Sequence, residues 1–274
     1  MRLVTYDAGD GPAAGVLLDG EIAPAGPSVR ELLARGGEIR PGAARIPRDG
    51  VRVLPPVPDP EKIICLGLNY RDHAEEAGRE IPKDPLWFGK FSNSLIGDGD
   101  TVVLPAATPD YVDYEAELAV VIGRTAHAVS AERALDYVAG AMPFNDVSAR
   151  DLQLENPLWT SGKAIDTFAP CGPALVLMDE IDDLQALGLR TRINDEVVQD
   201  GTTATMIFGV AETIAWLSRT MTLVPGDIIA TGTPAGIGGV KGVFLGDGDT
   251  VSVEVDGLGA VTNPVRAEAT VAAG

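Results

Sequence analysis

The sequence predicts a β-rich α+β fold, and three observations carry that prediction. Short apolar segments recur along the chain without helices regularly spaced between them, which argues against a doubly wound sheet. "TVSVEVDG" alternates cleanly, with Val251, Val253 and Val255 on one side. "AELAVVIG" has no polar face after Glu117, as a strand covered on both sides would.

The elements follow in order. "MRLVTY" and "AAGVLLDGEIAPA" read as short strands joined at Gly and Asp turns. Ser28 opens a helix, with Glu31 placed for a capping box, and Gly36-Gly37 closes it. "IPRDGVRVLPPVPDPEK" then places five prolines between Pro47 and Pro60, which marks an extended linker or edge segment. This suggests a small N-terminal domain over residues 1–56 and a main domain over 57–274. The main domain opens with the strand "KIICLGL". Asn69 to Gly78 suits two helical turns, and 79–94, rich in Pro, Gly and Lys, reads as a long loop. A helix is expected from Ala131 to about Val138 and another through "MIFGVAETIAWLSRTM", where Ile207, Val210, Ile214 and Leu217 share a face. "PALVLM", "LRTRIN" and "DIIAT" read as further strands.

Composition excludes several functions. The 21 basic and 40 acidic side chains leave a formal charge of −19, which disfavours nucleic acid and anionic membrane surfaces as partners. No apolar run approaches the roughly 18 residues a membrane span needs. The first residues show no export signal. Cys65 and Cys171 sit in apolar surroundings and are expected as reduced, buried thiols of a cytoplasmic protein. "GDGDTV" at 97–102 and 246–251 reads as a Gly-Asp turn entering a strand. "GTPAGIGG" has the wrong spacing for a dinucleotide loop, and no P-loop lysine follows it.

The chemistry concentrates in "DYEAELAVVIG". Glu115 and Glu117, two apart on a strand, point the same way and lie roughly 6–7 Å apart. Two like charges there repel by about 2–3 kcal/mol at an effective dielectric near 20, and desolvation costs several kcal/mol more. Either one carboxylate is protonated, or arginines pair with both, or a divalent cation lies between them. Asp146, in the apolar "PFNDVSARDLQ", could add a third carboxylate and complete an oxygen-only site for Mg²⁺, Mn²⁺ or Ca²⁺. Only two histidines exist. His127 lies in a turn and reads as a surface residue. His73 has Glu76 at i+3 on a helical turn, an arrangement that orients an imidazole as a general base. Counter-charges for an anionic substrate are available at Arg71, Lys90, Arg150 and Lys163.

The segments "ICLGLNYRDHAEEAG", "FGKFSNSLIGDGDTVVLP", "DYEAELAVVIG", "NDVSARDLQ", "GKAIDTFAPCGPALV", "NDEVVQDGTTATMIF" and "LVPGDIIATGTPAGIG" together resemble the fumarylacetoacetate hydrolase family, in family order from about residue 60 to 266. The resemblance implies a mixed β-sheet roll, a homodimer, and Mg²⁺ or Mn²⁺ held by Glu115, Glu117 and Asp146, with Ca²⁺ able to substitute in crystals. It implies a His73–Glu76 dyad on a lid, an active-site lysine at Lys163, and substrate contacts from Arg150, Gln153 and Thr233, to which Lys90 is added here. The expected substrate is a small anionic 2-oxo or 2,4-dioxo acid, and the expected reaction is hydrolytic C–C cleavage of an acylpyruvate through an enolate. 2-Hydroxyhepta-2,4-diene-1,7-dioate isomerisation or oxaloacetate-type decarboxylation in aromatic-acid catabolism are the alternatives, and a non-catalytic metal-binding protein is the remote one.

Overall fold

The computed structural model describes residues 1–155 and 157–269; Asn156 and the last five residues of the expected main domain lie outside the described residues. The fold is the β-rich α+β type read from the sequence. Among the described residues, one sheet has eleven strands and a second has five. The large sheet runs from Ile46–Pro47 through Glu21–Gly26, Pro12–Leu18, Arg2–Asp7, Leu175–Leu177, Val138–Asn145, Ala116–Ile122, Ile228–Ala230 and Ile63–Gly67 to Leu86–Lys90. It is mixed: Ile228–Ala230 runs parallel to Ile63–Gly67 and antiparallel to Ala116–Ile122.

The N-terminal strands belong to this same sheet, since Arg2 pairs with Val176 and Leu3 with Leu175. A division at residue 57 therefore stands as a proposal in which two units share one continuous sheet. Within the first unit, Ser28 caps its helix by accepting from the Glu31 N–H at 3.1 Å.

The Ala116–Ile122 strand is dry because both of its faces are covered. Ala116, Leu118, Val120 and Ile122 pack with Val253, Val255 and Val261 of the second sheet and with Val210, Ile214 and Leu217 of the Val210–Ser218 helix. Ala119 and Val121 face the other way, onto Met142, Phe144, Cys65 and Ala230. Glu117 shares that second face by alternation.

Three local expectations change. The segment 79–94 contains a strand, Leu86–Lys90, at the edge of the large sheet; its Gly and Lys content hides it, and pairing with Ile63–Gly67 supplies what propensity lacks. The helix expected from Ala131 closes after Ala134 into a 3₁₀ turn, because Val138 is drawn into a strand against Ile122. Ile207 lies before the Val210–Ser218 helix rather than on its face. The two "GDGDTV" copies build the same turn, with Asp100 and Asp249 accepting from the N–H of Gly97 and Gly246.

Candidate active site

Strand register assembles the carboxylates. Ala116 pairs with Asn145, and the Asp146 N–H donates to the Glu115 carbonyl at 3.0 Å, so Asp146 lands opposite Glu115 across 31 residues of sequence. The Asn145 side chain accepts from the Glu115 N–H at 3.0 Å and fixes that corner. One carboxylate oxygen from each of Glu115, Glu117 and Asp146 lies within 4.8 Å of the others, and all three residues are buried.

Three cations surround them. Lys163 Nζ donates to Glu115 at 2.9 Å and to Asp146 at 2.8 Å. Lys90 Nζ donates to Asp146 at 2.6 Å and to the Val147 carbonyl at 3.1 Å. Arg150 Nη2 lies 2.7 Å from Glu115 and 2.6 Å from Asp113, without hydrogen-bond alignment to either. Arg150 Nη1 donates to Gln153 at 2.9 Å. Lys90 thus has another place than the substrate contact expected for it. Its ammonium is buried on Asp146, and it is not among the residues lining the cavity described below.

Of the three ways the sequence allows for two adjacent carboxylates, protonation of one describes Glu117, while cations pair with Glu115 alone rather than with both. Burial pushes the Glu115 carboxyl up, but Lys163 and Arg150 overrule it and hold it down at about 2. Glu117 has no such cation in contact. Burial first, then Asp146 and Glu115, drive it well above the usual carboxylate range. Its Oε2 accepts from the Gly232 N–H at 2.9 Å, while its Oε1 is buried with no hydrogen-bond partner. An orphaned carboxylate oxygen beside two others is what an oxygen-binding cation satisfies. Ligand oxygens at roughly 2.1–2.5 Å from one ion lie no more than about 4–5 Å apart, so the spacing fits. With Glu117 protonated, Asp113, Glu115 and Asp146 already balance Lys90, Arg150 and Lys163, so an ion bound there would draw its counter-charge from ionising Glu117.

The cluster opens on a cavity of about 1000 Å³, whose lining includes Glu115, Arg150, Gln153, Lys163, Thr233 and His73. Glu117 and Asp146 lie beneath it, fully buried. Thr233 accepts from Gln199 at 3.0 Å, which leaves its hydroxyl proton available. His73 and Glu76 lie on the Arg71–Glu76 helix. His73 Nδ1 is 3.8 Å from Glu76 Oε2, too far for a hydrogen bond, and has no other partner. Burial lowers the His73 pKa, so the ring is neutral near pH 7. His127, by contrast, is exposed in a turn, and Arg71 is exposed outside the cavity.

Two features escaped the sequence reading. "GTPAGIGG" cradles carboxylates of the chain itself. Its backbone N–H groups donate to Glu117 from Gly232, to Glu76 from Gly236 at 2.8 Å, and to Asp113 from Gly238 and Gly239 at 2.7 Å each. Asp113, the first letter of "DYEAEL", is the buried anchor of Arg150, whose Nε donates to it at 2.7 Å. The density of glycines was the only available signal for either.

Fold and site together define an enzyme with a buried carboxylate centre under a cavity that carries basic side chains. The model for the fumarylacetoacetate (FAA) hydrolase C-terminal domain matches residues 62–266, and the chain belongs to that family. A relative, oxaloacetate tautomerase fahd2, mitochondrial, of Xenopus laevis, is 41% identical, with 97% of this chain and 90% of that protein covered. The solved fumarylacetoacetate hydrolase of the psychrophile Exiguobacterium antarcticum superposes with a TM-score of 0.88 at 36% identity, over 98% of this chain and 100% of that one. The 2-hydroxyhepta-2,4-diene-1,7-dioate isomerase of Mycobacterium marinum gives 0.83 at 36%, with the same coverage. Among the described residues, no helix is long and apolar enough to cross a membrane.

Proposed function

We propose that this protein is a divalent-metal-dependent enzyme that moves a proton on a 2-oxo acid through its enol form, with keto–enol tautomerisation of an oxaloacetate-type acid as its reaction. One observation carries this reading: a neutral, buried imidazole with an unpartnered nitrogen shares a cavity with Glu115 of the carboxylate cluster. The name of the Xenopus relative supports the substrate class.

Glu115, Glu117 and Asp146 would hold the ion, Mg²⁺ or Mn²⁺ by the hardness of an all-oxygen set. Bound there, it would supply Lewis-acid polarisation of the 2-oxo carbonyl. The protein groups do the rest. A proton on His73 Nδ1 faces the Glu76 carboxylate, which the Gly236 N–H holds in place, and leaves Nε2 as the base that takes a proton from C3. Lys163 and Arg150 offset the negative charge that develops on the substrate oxygen. Gln153 and Thr233 contribute donors that orient the acid.

Hydrolysis of an acylpyruvate is the second reading. It is favoured by the same neutral His73 ring beside Glu76, whose Nε2 could deprotonate a water as well as a carbon acid. Tautomerisation keeps the carbon skeleton, whereas hydrolysis releases pyruvate. The test is exchange of C3 hydrogens of oxaloacetate for solvent deuterium, with pyruvate measured in parallel. Exchange that is lost in His73→Gln is expected. No exchange by the wild type, or exchange indifferent to His73, would remove the proposal. A homodimer is proposed alongside it, supported by the exposed Leu86, Trp87 and Phe91 near the sheet edge; light scattering at the monomer mass would exclude it.

A further inference from the structure

The cations at the floor of the cavity are already engaged. Arg150 sits between Asp113 and Glu115, and Lys163 between Glu115 and Asp146. A third cation lines the same cavity: Arg79. Its side chain has no carboxylate partner among the described residues, in a chain where acidic side chains outnumber basic ones 40 to 21. Of the arginines that line the cavity, Arg150 is paired with Asp113 and Glu115, and Arg79 is the one without such a partner among the described residues. An unpaired guanidinium on a cavity wall is a receptor for an anion carried by the ligand.

The rest of the wall sharpens what that anion is. Leu66, Phe88, Trp159, Ile237 and Phe244 line the same space. Apart from the Trp159 indole N–H, these side chains offer a second carboxylate no hydrogen bond, and an unpaired carboxylate among them would bear its desolvation largely uncompensated. The cavity, about 1000 Å³, is also larger than a three-carbon acid at the carboxylate centre requires.

Arg79 is tied to the base. The Arg71–Glu76 helix ends in a Schellman turn: Gly78 takes φ +61, its N–H donates to the Glu75 carbonyl at 3.1 Å, and the Arg79 N–H donates to the Ala74 carbonyl at 2.8 Å. Gly78 supplies the left-handed backbone at little steric cost. The Arg79 backbone is therefore fixed to the turn that carries His73 and Glu76.

We propose that Arg79 binds the distal carboxylate of a 2-oxo dicarboxylic acid whose 2-oxo end lies at the carboxylate centre, and that this contact holds the His73 helix over the substrate. The inference rests on the reading that the site enolises 2-oxo acids, and adds to it which 2-oxo acids are preferred and by which residue. Because Arg79 and His73 share one turn, binding at the distal end acts on turnover as well as on affinity.

The test compares C3 deuterium exchange of dicarboxylates with that of their monocarboxylate counterparts, in the presence of Mg²⁺. Suitable pairs are oxaloacetate with 2-oxobutanoate and 2-oxoglutarate with 2-oxopentanoate. The wild type is expected to prefer the dicarboxylate in kcat/KM. Arg79→Gln is expected to lower that preference by about tenfold, the size of one charge-assisted contact, with part of the loss in kcat. Arg79→Lys is expected to restore some of it. Exchange by the wild type with no dicarboxylate preference, or a preference unchanged in Arg79→Gln, overturns the role of Arg79 and leaves the enolisation reading standing. A wild type inert toward all four acids overturns both.

Discussion

Arg150, on the cavity wall, donates from Nε to Asp113 Oδ2 at 2.7 Å, and Asp113 is fully buried beneath it. Asp113 in turn accepts from the N–H of Tyr114, Gly238 and Gly239, each at 2.7 Å, so both of its oxygens are committed. Held this way, Arg150 reaches Glu115 with Nη2 and Gln153 with Nη1. An amide at position 113 would turn its NH₂ toward donors whichever way it flipped. Asp113→Asn should therefore destabilise the fold by about 3–5 kcal/mol, the range for a broken buried pair, and lower kcat/KM at least tenfold. Thermal melting and steady-state kinetics check this; a variant matching wild type in both would contradict it.

Glu117 should release a proton when metal binds. Its carboxyl is held well above the usual range by burial and by Asp146 and Glu115, and a bound cation needs it ionised. Mg²⁺ affinity should then rise with pH. The calorimetric enthalpy should vary between buffers of different ionisation enthalpy, by about one proton per ion. An enthalpy indifferent to buffer would remove Glu117 from the ion's ligands.

Burial lowers the His73 pKa below its ordinary 6.5. A base must be neutral, so kcat/KM should hold near neutrality and fall only as pH drops through the lowered value. The stability effect has the same direction. Below about 6.5 the unfolded chain binds a proton that the folded His73 refuses, so stability is lost as pH falls toward the folded pKa and levels off beneath it. His73→Gln should flatten that part of the stability curve. An acid limb of kcat/KM lying above pH 6.5 would contradict the assignment of His73 as the base.

The glycine loop should matter to turnover more than to metal. Gly236 takes φ +104, and a Cβ there would stand 2.8 Å from the Val198 carbonyl oxygen. Gly236→Ala should strain the loop by about 1–3 kcal/mol and displace the N–H that holds Glu76. Lower kcat with Mg²⁺ affinity nearly intact is expected; the opposite pattern would mean that the loop serves the carboxylate cluster first.

Much of this site is visible in the residues, and the reasons for what is not visible are physical. Glu115 and Glu117 stand out because alternation places both on one side of a strand with no other polar group. His73 and Glu76 stand out because helical spacing pairs them, and the helix is there. Asp146 reaches them only through the register of Ala116–Ile122 against Val138–Asn145, which no local pattern encodes. The Leu86–Lys90 strand is formed by its partner rather than its own propensity, and Lys90, which looks like a loop residue, is thereby carried to Asp146. The anion cradle at 232–239 depends on the direction of backbone N–H groups, which spacing of glycines permits but does not specify. The N-terminal strands read as a separate unit because the proline-rich segment interrupts the pattern, while the pairs Arg2–Val176 and Leu3–Leu175 that join Arg2–Asp7 to Leu175–Leu177 are 174 and 172 residues apart in sequence and leave no local trace.

The most direct measurement is C3 deuterium exchange of oxaloacetate by the protein as isolated, after removal of divalent ions with a chelator, and after adding back Mg²⁺ or Mn²⁺, repeated with Glu117→Gln. Exchange abolished by the chelator, restored by either ion, and absent from Glu117→Gln at the same ion concentration is expected. Exchange that survives the chelator undiminished, or that persists unchanged in Glu117→Gln, would contradict a divalent ion held by Glu115, Glu117 and Asp146 as the centre of the chemistry.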